Sequence, residues 1–184
     1  MATVRTGTAS ALLVVDMQVG VITHAWNTPQ VIERIQSLVT LARAQQAPVI
    51  WVQHNDDELR PGSPAWRWVP ELVPRAGEPL IPKAHNSAFE HTELEATLAQ
   101  LGVSRLVLCG AATNWCIRAT AYAALERGYD LALAADAHTC SPMQLDNGRT
   151  VEPAAVIDEL NAVLRWLSYP GRQCSAPLAD QVRF

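Results

Sequence analysis

The sequence predicts an α/β fold, a three-layer α/β/α sandwich with a mainly parallel central sheet. Short apolar segments, such as the continuous run 11–15 and the segment 129–135, are typical of strands that are buried on both faces. Segments with apolar residues at helical spacing, such as 28–41 and 153–167, lie between such runs. Alternation of strands and helices indicates parallel β-α-β units, whose helices cover both faces of the sheet.

The individual elements follow from local patterns in chain order. Thr28 is predicted to be the N-cap of the first long helix and Pro29 its first residue, because proline is favoured at the first helical position. Gly102 and Gly128 predict helix ends. The tail from Pro170 onward contains at most one short strand. The remaining predicted elements are strands at 48–53 and 105–109 and helices at 93–101 and 114–127.

The segment 55–82 is rich in proline and is predicted to be a long loop. It contains Trp66 and Trp68. Two interpretations of these tryptophans stay open. Long loops in compact domains are often functional, so the two rings could shape a pocket, or they could pack on the core beneath the loop.

Length and composition predict one domain spanning 1–184, and they exclude several classes of protein. Of the 184 residues, 49% are hydrophobic and 17% charged, which argues against disorder. The net charge of −4 comes without a clustered basic face, so we expect no nucleic-acid partner. No apolar stretch is long enough to predict a membrane span. The polar N-terminus and four cysteines without paired spacing predict a cytoplasmic protein with separate thiols.

The segment 106–117 carries the strongest chemical signal. It is interpreted as a buried strand, a turn of small residues, and Cys116 on the first turn of the next helix. A helix N-terminus presents free N–H groups and partial positive charge, which stabilise a thiolate. We therefore expect a nucleophilic cysteine that ionises near neutral pH.

Asp16, Lys83 and Cys116 each fall at or just beyond a predicted strand end. Ligands of open α/β sheets bind beyond the carboxyl ends of the strands, so the three side chains could converge there. The cation would favour the thiolate, and the carboxylate could take the thiol proton. Each residue also has an ordinary alternative: a turn cap for Asp16, a surface position for Lys83 and a small apolar core residue for Cys116.

Four segments, in this order, resemble the isochorismatase-like cysteine hydrolase superfamily. Leu-Leu-Val-Val-Asp-Met-Gln at 12–18 resembles the opening strand of that family. Lys83, followed by Ser-Ala-Phe at 87–89, resembles the family's lysine segment. Gly-Ala-Ala-Thr-Asn-Trp-Cys at 110–116 is similar to the turn that carries the family's nucleophile, which is called the nucleophile turn below. Residues 129–137 resemble the strand that follows that turn in the family. The resemblance covers roughly 12–139.

The resemblance implies an α/β/α fold and a triad in which Asp16 is the base, Lys83 the electrostatic partner and Cys116 the nucleophile. It also implies a cis Ala111–Ala112 bond and an oxyanion hole formed by the N–H groups of Ala112 and Cys116. The implied reaction cleaves a C–N bond of an amide, ureido or carbamoyl compound through a thioester, releasing ammonia or an amine. It requires no cofactor, and a homodimer or homotetramer is expected.

Two other functions stay open: a vinyl-ether hydrolase of the isochorismatase type, and an inactive member that binds a small molecule. Related nicotinamidases carry a metal-binding Asp-x-His segment after the second strand, where this chain keeps only His54, so we predict no metal. Whether His138 or Cys140 approaches the site is left open. The candidate pocket residues are Gln18, His54, Trp66, Trp68, Thr113 and Trp115.

Overall fold

A computed structural model describes residues 2–184, so Met1, where the predicted domain begins, lies outside the described residues. The strands in chain order are β1 (Ala9–Val15), β2 (Val49–His54), β3 (Leu80–Lys83), β4 (Val103–Ala111), β5 (Asp130–Thr139), β6 (Met143–Gln144), β7 (Thr150–Val151) and β8 (Cys174–Ser175). Six of them form one sheet in the order β3-β2-β1-β4-β5-β8, and every neighbouring pair is parallel. The β6 and β7 strands form a separate antiparallel hairpin.

Helices cover both faces of the sheet and make the three predicted layers. They are α1 (Val19–Ile22), α2 (Thr28–Ala44), α3 (Leu94–Gln100), α4 (Arg118–Glu126) and α5 (Pro153–Trp166). One apolar cluster joins the sheet to α2, and the other joins it to α3, α4 and α5. The α/β/α fold is therefore confirmed. None of the helices within 2–184 has both the length and the apolar character needed to cross a bilayer.

The β1 strand lies in the middle of the sheet, which explains its uninterrupted apolar sequence. Leu13 and Val15 point into the cluster beneath α3, α4 and α5, whereas Leu12 and Val14 point into the cluster beneath α2. Successive side chains of a strand point to opposite faces, so a strand covered on both sides needs apolar residues at every position. All four side chains are fully buried.

The structure corrects the predicted loop at 55–82, because its last residues begin the edge strand β3. Only alternate residues of β3 are buried, and Pro82 removes one N–H from its ladder. Proline is tolerated in a strand at the sheet edge, so this strand lacks the apolar signal of a central one. The β6–β7 hairpin was also missed, since strands of two residues carry no periodicity.

The segment predicted as one helix at 114–127 is two elements. Residues Thr113–Ile117 form a π-helical turn, and α4 continues from Arg118. Single π-helical turns occur often at functional sites, and this one holds Cys116. The start of α2 also differs by one residue, because Asn27 rather than Thr28 is the N-cap.

Gly110 of β4 lies opposite Val15, the last residue of β1. Its φ of 121° is a conformation that residues with a side chain rarely adopt. A Cβ atom built there would lie 2.0 Å from the carbonyl oxygen of Val15. Because that oxygen belongs to the backbone of a central strand, it cannot move aside without separating the two strands just before Asp16 and the nucleophile turn.

We expect Gly110→Ala to lower the free energy of unfolding by about 3 kcal/mol, because overpacking and an unfavourable φ act together. Gly148→Ala is the matched control, since Gly148 also has positive φ (80°) but a Cβ there meets nothing within 4 Å. That control should cost only about 1 kcal/mol. Urea unfolding followed by tryptophan fluorescence measures both, and equal losses would contradict the close approach of β4 and β1.

Candidate active site

The ends of three strands bring Asp16, Lys83 and Cys116 together. Asp16 directly follows β1, Lys83 is the last residue of β3, and Cys116 lies in the turn after β4. The Lys83 Nζ atom lies 2.7 Å from Asp16 Oδ2 and 3.2 Å from Cys116 Sγ. The side chains of Lys83 and Asp16 are 0% and 1% exposed. The three groups therefore form a buried and directly contacting cluster.

The backbone around Asp16 is held in a defined bend. Asp16 has a φ of 50°, and its N–H donates to the carbonyl oxygen of Val52 at 2.9 Å. Aspartate is among the residues that tolerate this left-handed region. The next turn is fixed by Gln18, whose Nε2 donates to the carbonyl oxygens of His54 and Trp66, both at 3.0 Å. These bonds aim the Asp16 carboxylate at the end of β3.

The nucleophile turn is fixed from behind by a chain of polar groups. The peptide bond between Ala111 and Ala112 is cis. Thr113 Oγ1 lies 2.9 Å from Nδ1 of His138, and His138 Nε2 lies 3.1 Å from Asn161 Oδ1. Burial lowers the pKa of His138 to about 4, so its ring is neutral at neutral pH. The chain of hydrogen bonds ties the turn to α5.

Burial sets the protonation state of the cluster. It raises the pKa of Asp16, although the nearby Lys83 ammonium opposes that effect. Burial together with the Asp16 charge raises the pKa of Cys116 to about 12. The expectation that Cys116 ionises near neutral pH is therefore wrong. The helix terminus that would favour the thiolate also buries its sulfur next to a carboxylate, so the resting group is a thiol.

Lys83 occupies the place where a cation would fit among the neighbouring side chains. Asp16, His54 and Cys116 each offer a ligand atom, and these atoms lie within 4.8 Å of one another. The Lys83 ammonium touches all three, at 2.7 Å, 2.9 Å and 3.2 Å respectively. A metal ion held by this set would have to displace a buried ammonium. The absence of a metal remains a prediction, and Lys83 is its physical basis.

A cavity of about 380 Å³ borders the nucleophile turn at Ala112. Trp115 is 55% exposed and forms one wall. Within residues 2–184, the Oδ1 atom of Asn114 is buried and finds no hydrogen-bond partner. The residues that line the cavity carry no formal charge: Val21, Ala112, Asn114, Trp115, Ser141, Pro142, Met143 and Gln144.

Comparison with known proteins identifies the family of this chain. A family model described as the isochorismatase domain matches residues 10–150. The chain belongs to the isochorismatase family. Two streptothricin hydrolases from Streptomyces noursei are 34% identical to it over 134 and 136 residues, which is 70% of this chain in both comparisons. These matches cover 49% and 53% of the relatives, so the chain spans about half their length.

Solved structures share the fold over nearly the whole chain. An isochorismatase from Pseudomonas putida KT2440 has a TM-score of 0.85 at 24% identity, covering 95% of this chain and 90% of its own. An N-carbamoylsarcosine amidase from Thermoplasma acidophilum has a TM-score of 0.73 at 24% identity, covering 96% and 100%. At such identities these likenesses establish the fold alone.

Within this isochorismatase-family site, two predicted pocket residues have other roles. Gln18 and Thr113 are fully buried and bonded to neighbouring protein groups, so neither can touch a substrate. Trp68 packs edge-on against Trp51, with ring centres 5.4 Å apart, which fits the core interpretation. The assignments of Gln18 and Thr113 are therefore corrected, because local sequence does not show which way a side chain points. Trp68 is only partly buried, so its place in the pocket stays a prediction.

The other three candidates have different surroundings. His54 contacts Lys83, and Trp115 lines the cavity. Trp66 donates from Nε1 to Asn55 Oδ1 at 2.5 Å and anchors the loop after β2, so its place in the pocket stays a prediction. Of the two residues left open, His138 holds Thr113, and Cys140 is buried behind the same turn, next to Thr113 and Asn114.

Alkylation of Cys116 by iodoacetamide should respond in opposite directions to changes in its two neighbours. The Asp16 charge raises the pKa of Cys116 and the Lys83 charge lowers it. We therefore expect faster labelling at pH 8 in Asp16→Asn and slower labelling in Lys83→Met, by about tenfold for each pKa unit moved. Peptide mass spectrometry resolves Cys116 from the other cysteines. A change of the same sign in both variants would contradict the charge arrangement.

Proposed function

We propose that the chain is a cysteine hydrolase that cleaves a C–N bond of a small molecule through a thioester. The observation that carries the proposal is the buried contact of Asp16, Lys83 and Cys116 through the Lys83 ammonium. A nucleophile, a base and a fixed cation are the parts that nucleophilic catalysis at a carbonyl requires. Membership of a hydrolase family supports the same reaction class.

The first half of the reaction forms the thioester. Because Cys116 is a thiol at rest, its proton must leave as the sulfur attacks the substrate carbonyl carbon, and the adjacent Asp16 carboxylate accepts it. The carbonyl oxygen becomes an oxyanion, which the N–H groups of Ala112 and Cys116 would stabilise. Collapse of this intermediate breaks the C–N bond, and the proton held by Asp16 passes to the departing nitrogen.

The second half of the reaction restores the enzyme. Asp16, again a carboxylate, removes a proton from water, and the resulting hydroxide adds to the thioester carbon. Breakdown releases the carboxylic acid and the Cys116 sulfur, which regains a proton from Asp16. Lys83 keeps its proton throughout and stabilises whichever neighbour is negative. Each carboxylate protonation is thus reversed within one turnover.

The cavity supports a neutral substrate portion with an apolar or aromatic surface. Its walls include the exposed ring of Trp115 and the side chains of Val21 and Met143. Two relatives are named streptothricin hydrolase, which supports a hydrolytic reaction.

The test is release of ammonia or amine from a panel of primary amides, ureido compounds and N-carbamoyl compounds. We expect Cys116→Ala to lower kcat by about three orders of magnitude or more for any active compound. Cys174→Ser is the matched control, because Cys174 lies in the distant edge strand β8 and should leave kcat unchanged. Full activity of Cys116→Ala would overturn the proposal, and acid-promoted cleavage of vinyl ethers by that variant would favour the other enzyme class.

A further inference from the structure

The Lys83 ammonium has more acceptors around it than it has N–H groups. Asp16 Oδ2 lies at 2.7 Å, His54 Nδ1 at 2.9 Å, the His85 carbonyl oxygen at 3.1 Å and Cys116 Sγ at 3.2 Å. An ammonium group donates only three hydrogen bonds. All four contacts are of hydrogen-bond length, and the sulfur of a neutral thiol is the weakest acceptor among them. In the resting state the sulfur is therefore the acceptor that receives no hydrogen bond from Lys83.

The contact with Lys83 determines which ring nitrogen of His54 carries the proton. An ammonium cannot accept a hydrogen bond, so His54 Nδ1 must be the acceptor. The ring proton then lies on Nε2, which donates to Asp56 Oδ2 at 3.1 Å. Asp56 is oriented in turn, because its Oδ1 accepts the N–H groups of Glu58 and Leu59 at 2.9 Å and 2.7 Å. These bonds lower the pKa of Asp56 and keep it a carboxylate.

We propose that His54 is a positioning residue that takes one N–H of Lys83 in the resting enzyme and yields it to Cys116 as the thiolate forms. The transfer needs only rotation of the ammonium about its last bond. Lys83 itself stays in place, because its side chain is 0% exposed and its shortest contact is with Asp16. This inference rests on the proposed function, which gives Lys83 and Cys116 their catalytic roles.

The proposal has a consequence that a purely structural histidine would not have. Removing the Nδ1 acceptor frees an N–H that is already within reach of sulfur, so the thiolate of Cys116 becomes more stable. His54→Gln removes this acceptor, because the glutamine amide lies beyond the Nδ1 position. His54→Asn is the conservative variant, since its side-chain oxygen can stand near that position.

Asp56→Asn tests the same proposal from the surface, where the Asp56 side chain is 44% exposed. The two backbone N–H groups retain the side-chain oxygen, so the new amide nitrogen faces His54 Nε2. The new amide N–H and the Nε2–H of His54 then point at each other, unless the ring proton moves to Nδ1. In that tautomer His54 no longer accepts from Lys83. Asp57→Asn, one residue further in the same exposed loop, is the matched control.

The experiment is the rate of Cys116 labelling by iodoacetamide across about two pH units on either side of the ordinary thiol pKa of about 8.5, read by peptide mass spectrometry. We expect His54→Gln and Asp56→Asn to shift the profile to lower pH and to raise the rate about tenfold, as one pKa unit would. The Cys116 labelling rates of His54→Asn and Asp57→Asn should stay within about threefold of the wild-type rate, which corresponds to about half a pKa unit. The groups that face His54 are Lys83 from β3, Asp16 from β1, Cys116 from the turn and Asp56 from its own loop.

Unchanged or slower Cys116 labelling in both His54→Gln and Asp56→Asn would overturn the inference, as would a His54→Asn profile identical to that of His54→Gln. Labelling of the buried Cys109 reports unfolding, and if His54→Gln unfolds, the Asp56→Asn profile decides. The labelling rates need no substrate, so they test this inference alone. The proposed function is tested separately, and an active Cys116→Ala variant would overturn it.

Discussion

The ion pair between Lys83 and Asp16 is the interaction on which the rest of the site depends. Both side chains are almost fully excluded from solvent, and their charged atoms are 2.7 Å apart. A buried charge is very costly unless an opposite charge and hydrogen bonds compensate for it. The fold must therefore bring the ends of β1 and β3 to a fixed distance. The two strands are not neighbours in the sheet, because β2 lies between them, so the side chains of Asp16 and Lys83 meet beyond the end of β2.

The surrounding structure serves that requirement. The bend at Asp16 turns its carboxylate away from the sheet, Gln18 ties the bend to the end of β2, and Gly110 lets β4 lie close beside β1. Cys116 is buried in the same region, and burial raises its pKa so that it is a thiol at neutral pH. In the proposed mechanism the site therefore stores no thiolate, and the nucleophile forms only when Asp16 takes the proton.

Much of the fold and part of the site follow from the sequence, for identifiable reasons. Central strands such as β1 carry continuous apolar runs, and the ends of parallel strands meet at one sheet edge, so Asp16, Lys83 and Cys116 could be expected to lie together. The edge strand β3 lacked such a run because half of it faces solvent. The bonds of His54 to Lys83 and of Thr113 to His138 join distant segments, and no local pattern encodes them. The raised pKa of Cys116 depends on tertiary burial, which outweighs the local helix terminus.

A double-mutant cycle on Asp16 and Lys83 tests the central claim most directly, with Asp16→Asn, Lys83→Met and the double variant compared by urea unfolding at pH 7. Each single variant leaves one buried charge unpaired and should lose roughly 3–5 kcal/mol of stability. The double variant removes both charges, so its loss should be smaller than the sum of the single losses by about 2 kcal/mol or more. Additive losses would contradict the account, because they would mean that the two charges do not stabilise each other.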